Sequence, residues 1–134
     1  MKKKHLYAVV ILMSFLAVGM QPVLGIIDLN LNGWNGSGDV SGIGTWDSST
    51  LTGTLTNNVN DTIQITGDEI TLNGAGFTVT PTSPGEGVDF FEKTGITVKN
   101  LIINGGGAGI SLRFSNYCTI TNNTLSGCQY GIWL

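Results

Sequence analysis

The sequence predicts an all-β solenoid, a parallel β-helix of about three coils of short strands behind an irregular N-terminal cap. Three observations predict it. Gly95–Leu112 (GITVKNLIINGGGAGISL) aligns on Tyr117–Leu134 (YCTITNNTLSGCQYGIWL) without a gap, each position i falling on i + 22. A fixed period of that size marks stacked supersecondary units. Within each unit apolar residues alternate with polar ones (Ile96 and Val98, Ile110 and Leu112), the period-two pattern of a strand with one buried face. Glycine and asparagine separate these runs, where the backbone must bend and positive φ is tolerated.

Taken in order, the chain opens with a basic segment, Met1–His5, followed by an apolar run, Leu6–Gly19, and the small-residue site Val23-Leu24-Gly25. That order reads as a secretory signal, residues 1–25, cleaved after Gly25. The rival reading is a retained anchor, but the run is shorter than the roughly 18–20 residues a spanning helix needs. The protein is therefore expected outside the cell or at its surface, or in the periplasm where the host has an outer membrane. After Gly25 the cations are Lys93, Lys99 and Arg113 against nine carboxylates, a formal charge of −6, and no His or Met remains. Such a surface repels nucleic acid and anionic lipid, so neither is expected as a partner.

Residues 26–60 lack the period and read as the cap that closes the open end of an apolar column. Asn32–Asp39 is turn-forming, and Leu51–Thr56 alternates like a strand. Trp34 and Trp46 are expected to cover the first coil; the other reading is an exposed pair that stacks on sugar, with Trp133 as a third candidate carbohydrate contact. Asn35 and Asn60 lie in glycosylation sequons.

Residues 61–134 carry the repeats. The segment Thr80–Glu86 holds two prolines and a glycine, so it is a loop. It is expected to absorb the surplus between the spacing of 26 from Ile70 to Ile96 and the spacing of 22 from Gly87 to Gly109. Gly87, Gly109 and Gly131 recur in a Gly-apolar-x-apolar pattern and read as bends. Asn100 and Asn122 follow Val98 and Ile120 at even parity, which points them inward as an asparagine ladder. The sequon reading of Asn122 is weaker, since an acceptor must face solvent. Cys118 takes the slot of Ile96 and reads as a small buried hydrophobe. Two unbridged cysteines are preferred over a Cys118–Cys128 disulfide, which export would favour but whose geometry the sequence does not fix.

These repeats resemble the right-handed parallel β-helix of the pectin-lyase-like superfamily, and within it the NosD-type subgroup and repeat-rich surface proteins. The run Asp61–Val79 is similar to that family's leading segment, although Asn73-Gly74-Ala75-Gly76-Phe77 stands where the family has Asp-Gly-Asn-Gly-His. The resemblance implies a right-handed coil. It implies no single activity, since the fold carries lyases, hydrolases, adhesins and passive scaffolds.

Chemistry in the chain is sparse. A polysaccharide lyase needs a basic residue beside calcium-holding carboxylates, yet Asp89 aligns with Ser111 and Trp133 and forms no carboxylate ladder. A glycoside hydrolase needs converging carboxylates, and Asp68-Glu69 reads as a solvated turn. Copper handling, which the NosD resemblance implies, wants His, Met or Cys. Without a His after Gly25 there is no base for a nucleophile. No catalytic, cofactor or metal residue is assigned. The reading is a secreted or cell-surface non-catalytic scaffold that contacts carbohydrate or envelope partners. The alternatives are part of a carbohydrate-active β-helix enzyme and a NosD-like copper protein. Because Leu134 closes a strand with no capping element, a continuation of the solenoid is expected as its neighbour.

Overall fold

The computed structural model describes residues 27–36, 40–82 and 84–134; the segment 1–25, expected to be a signal, lies outside them. Their regular elements are all strands. The N-terminal group is β1 (Ile27–Asn30), β2 (Gly33–Gly36), β3 (Gly44–Asp47), β4 (Thr52–Leu55) and β5 (Ile63–Ile65). Three sets follow, each crossing the same three faces: β6 (Thr71–Asn73), β7 (Thr78–Val79) and β8 (Val88–Phe91); β9 (Thr97–Lys99), β10 (Ile102–Asn104) and β11 (Ala108–Arg113); β12 (Thr119–Thr121), β13 (Thr124–Ser126) and β14 (Tyr130–Trp133). The first face, sheet A, has the order β14-β11-β8-β5-β1-β2; sheet B is β12-β9-β6-β4-β3 and sheet C is β13-β10-β7.

Stacking is parallel from coil to coil, and it builds three apolar columns. On sheet A, Ile27, Ile63, Val88, Ile110 and Ile132 stand in register. On sheet B the column is Gly53, Leu72, Val98 and Ile120, and on sheet C it is Val59, Val79, Ile103 and Leu125. Ile63, Val88, Val98, Ile103 and Ile110 are fully buried. Each such side chain contributes about 1.5–3 kcal/mol of transfer free energy, so the columns dominate stability.

The register shows four coils where the period predicts about three. The first is β4, the Val59 bridge and β5, so winding starts at Thr52 rather than at Asp61. The repeat period misses this coil for a physical reason. Gly53 pairs with Leu72, a shorter step than the regular one, whereas Ile63 pairs with Val88, a longer step. Turns of unequal length hide the repeat while the columns keep it.

The long spacing from Ile70 to Ile96 divides between two turns. The step from one coil to the next shortens along the chain, from Leu72–Val98 through Val79–Ile103 to Val88–Ile110. Half of the surplus therefore sits in the Gly74–Gly76 turn and only half in the Thr80–Glu86 loop.

Two repeat positions need correction. Asn100 and Asn122 have φ of 55° and 53° and are exposed, so they do not form an inward ladder. A left-handed residue ends the strand alternation, and the parity count fails across it. None of Gly87, Gly109 and Gly131 has positive φ; Gly87 lies at a bend just before β8, whereas Gly109 and Gly131 lie within β11 and β14 and are not bends. A Cβ on Gly87 would lie 2.6 Å from the Gly109 carbonyl oxygen, and one on Gly109 would lie 2.6 Å from that of Gly131. Close approach of the next coil selects glycine there.

The N-terminal end is covered by antiparallel strands. β2 folds back on β1, and β3 pairs with β4. Trp34 and Trp46 are half-buried against the core. Trp34 lies over Gly44 and Gly53, Trp46 lies over Gly33, and the Trp34 indole N–H donates to the Thr45 carbonyl at 3.0 Å.

Candidate functional site

Strand alternation on sheet A turns a second set of side chains outward. Asp28, Gln64, Asp89, Ser111 and Trp133 form one outer column in register, and Phe91 stands beside Arg113 in the next. The Arg113 guanidinium lies 5.8 Å from the centre of the Phe91 ring and 5.4 Å from that of Trp133. Beyond Phe91, Phe114 packs edge-on with ring centres 5.5 Å apart. Beyond Trp133, Tyr130 follows at 6.1 Å. The result is a continuous ribbon, Phe114–Phe91–Arg113–Trp133–Tyr130, with a cation at its middle held by cation–π attraction.

Polar groups lie under the guanidinium. Arg113 Nη2 stands 3.6 Å from Asp89 Oδ1, an ion pair longer than a hydrogen bond. Asp89 Oδ1, Ser111 Oγ and Arg113 Nε are all shielded from solvent with no hydrogen-bond partner among the described residues. Orphaned polar atoms of this kind are rare in folded proteins and each is costly.

The bend after β11 supplies the remaining aromatics. Phe114 and Tyr117 both adopt left-handed backbone (φ 55° and 54°) and are 78% and 89% exposed. The equivalent residues one coil earlier are Glu92 and Gly95. Bulky side chains in this conformation carry about 1–2 kcal/mol of strain each. The bend is held by Asn116 N–H donating to the Lys93 carbonyl and Gly95 N–H donating to the Asn116 carbonyl.

Of the residues singled out from the sequence, Trp133 joins this ribbon, while Trp34 and Trp46 lie at the capped end. Asn100 and Asn122 sit on the bend between sheets B and C, away from it. Gly87, Gly109 and Gly131 support sheet A from within. Cys118 and Cys128 are both unbridged and half-buried, and each thiol donates to backbone carbonyls, Asn116 and Gly105 among them. In the sequence reading Arg113 enters only as one of three cations, and Asp89 only as a carboxylate without a ladder. Phe91, Phe114, Tyr117 and Tyr130 are absent from it, because they fall where the repeat does not repeat: opposite Arg113, Glu92, Gly95 and Ala108. That break in the pattern is the signal that could have found them.

At the opposite end an open depression of about 220 Å³ is lined by Ile27, Ile43, Asn58, Val59, Asn60 and Asp61, where no cap strand among the described residues covers sheet C. Among the described residues no three His, Cys, Asp or Glu side chains converge as a metal site would require.

With this geometry in view, comparison with known proteins places the class. The family model described as "Right handed beta helix region" matches residues 41–134. That is more than half of the chain, so the chain belongs to the right-handed β-helix family. No curated protein and no solved structure matches it. Family membership here defines architecture; activity has to be argued from the site.

Proposed function

We propose that the protein is an exported, non-catalytic β-helix scaffold whose outer sheet A face contacts carbohydrate in or near the cell envelope. Residues 1–25 act as the cleaved signal, and the cap and coils form the mature module. The observation that supports carbohydrate is the ribbon: four aromatic rings linked through one guanidinium, all of them exposed. Ring faces take the C–H faces of sugars, and the guanidinium bonds their oxygens. A non-catalytic role follows from the same inventory. Asp89 is the single carboxylate in the ribbon, whereas glycoside hydrolysis needs a second one across the bond and a lyase needs several to hold calcium beside its base.

Binding of purified protein to a panel of polysaccharides, by affinity electrophoresis and calorimetry, tests this. Trp133→Ala and Arg113→Ala should each weaken binding by about tenfold, or ~1.4 kcal/mol. Absence of binding to every polysaccharide would remove the reading. Cleavage of a bound chain would move the protein into the carbohydrate-active enzymes.

A further inference from the structure

We infer that the ribbon takes a linear, neutral glycan chain and not a uronate polymer, an inference that rests on the carbohydrate reading above. Hydrogen-bond inventory narrows the ligand first. Among the described residues none of the Arg113 donors has a hydrogen-bond partner, and Asp89 Oδ1 is an acceptor without one. A ligand that satisfies both must accept and donate from the same region. A sugar hydroxyl does both, so the hydrogen-bond inventory selects a polyhydroxylated ligand, and charge selects among such ligands. Asp89 Oδ1 is shielded from solvent with Arg113 Nη2 3.6 Å away, so a ligand hydroxyl reaches it only when Arg113 moves aside.

Charge points to a neutral one. An incoming carboxylate drawn to Arg113 would be placed beside the Asp89 carboxylate, and like charges at short range repel. The bends joining sheet A to sheet B add exposed Asp68, Glu69 and Glu92 along the same edge, with Lys93 as the local cation besides Arg113. A neutral chain meets no such opposition.

Spacing selects a linear chain. The steps along the ribbon are 5.5, 5.8, 5.4 and 6.1 Å, close to uniform, with Phe114 edge-on to Phe91 at 85° and Tyr130 tilted 31° to Trp133, an elongated row that suits an extended chain better than a single sugar. The platforms stand on hydrogen-bonded strands and a left-handed bend, so their backbone is ordered before binding.

Calorimetry with cellohexaose, xylohexaose, chitohexaose and calcium-free hexagalacturonate provides the test. At least one neutral hexamer should bind, with affinity changing less than about twofold between ~50 mM and ~500 mM salt. Asp89→Ala should weaken it about tenfold. Phe114→Ala, at an exposed bend, serves as a second variant should the first unfold, and should weaken binding by a similar factor. Binding of hexagalacturonate alone would overturn the neutral-ligand inference and leave the carbohydrate reading standing. Binding of no hexamer, with a longer polysaccharide still bound, would overturn this short linear site alone. Binding of nothing would remove both. A change in sedimentation from oligomer to monomer in Trp133→Ala would show a self-association face and also overturn it.

Discussion

Asn123 reaches one coil down to Leu101: its Oδ1 accepts the Leu101 N–H at 3.0 Å. Its amide nitrogen also donates to the Val98 carbonyl at 2.9 Å, so one side chain closes the bend of the third coil from the fourth. Asn123, one residue after the predicted ladder position, makes these inter-coil bonds to backbone, while Asn100 donates to Asn73 Oδ1 at 3.1 Å on the exposed side and Asn122 supplies the left-handed turn. Asn123→Ala should lower stability by about 1–3 kcal/mol through two lost bonds and a stranded N–H. Asn122→Gly should change it by less than about 0.5 kcal/mol. Urea midpoints read both, and a larger loss at Asn122 would restore the inward ladder.

The stacked glycines make a graded series. A Cβ on Gly87 would meet Ile103 Cγ2 at 2.5 Å as well as the Gly109 carbonyl, and one on Gly109 meets a carbonyl at 2.6 Å. A Cβ on Gly131 meets only Leu125 Cδ1, at 3.8 Å. Gly87→Ala and Gly109→Ala should each cost about 1–3 kcal/mol by overpacking, and Gly131→Ala should be near neutral. Equal effects at all three would return the role to backbone flexibility.

Tyr117 is strained where its predecessor Gly95 is not. Both have positive φ, 54° and 71°, but only the tyrosine carries a Cβ against the carbonyl. Tyr117→Gly should raise stability by up to about 1 kcal/mol, the relieved strain less the added chain entropy of glycine. Thermal denaturation with a lowered midpoint would show that the ring makes stabilising contacts.

Asp47 organises the β3–β4 turn. Its carboxylate accepts the Ser49 hydroxyl at 2.6 Å and the Ser49 N–H at 2.9 Å. These bonds, the hydroxyl first, hold its pKa below the ordinary value. A depressed carboxylate pKa adds turn stability above the unfolded pKa, and that stability is lost as pH falls through the folded one. An NMR titration of the Ser49 amide should therefore show a midpoint below that of a free aspartate, about 3.9. A midpoint at or above it would contradict the turn geometry, and Asp47→Asn should abolish the transition.

Much of the fold is legible along the chain because its causes are local. Period-two alternation in Ile96-Thr-Val98 selects a strand with one buried face, and the identity between successive repeats forces like side chains over like. The first coil is not legible, because its turns are short on one side and long on the other, and only the column Gly53–Leu72–Val98–Ile120 shows it as a coil. Asn122 and Asn123 show the same limit at one residue, since a single left-handed φ resets which neighbour faces inward.

The candidate site divides along the same line. The sequence by itself determined an all-β solenoid, the apolar positions of its regular coils and the scarcity of catalytic groups, since these depend on pattern and composition. Only the tertiary structure decided that Phe91, Arg113, Phe114, Tyr130 and Trp133 share one outer face. They come from three coils, and coil stacking at roughly 4.8 Å brings together residues a full repeat apart in sequence. A repeat reports what each coil has in common, whereas a binding face is made of what each coil has of its own.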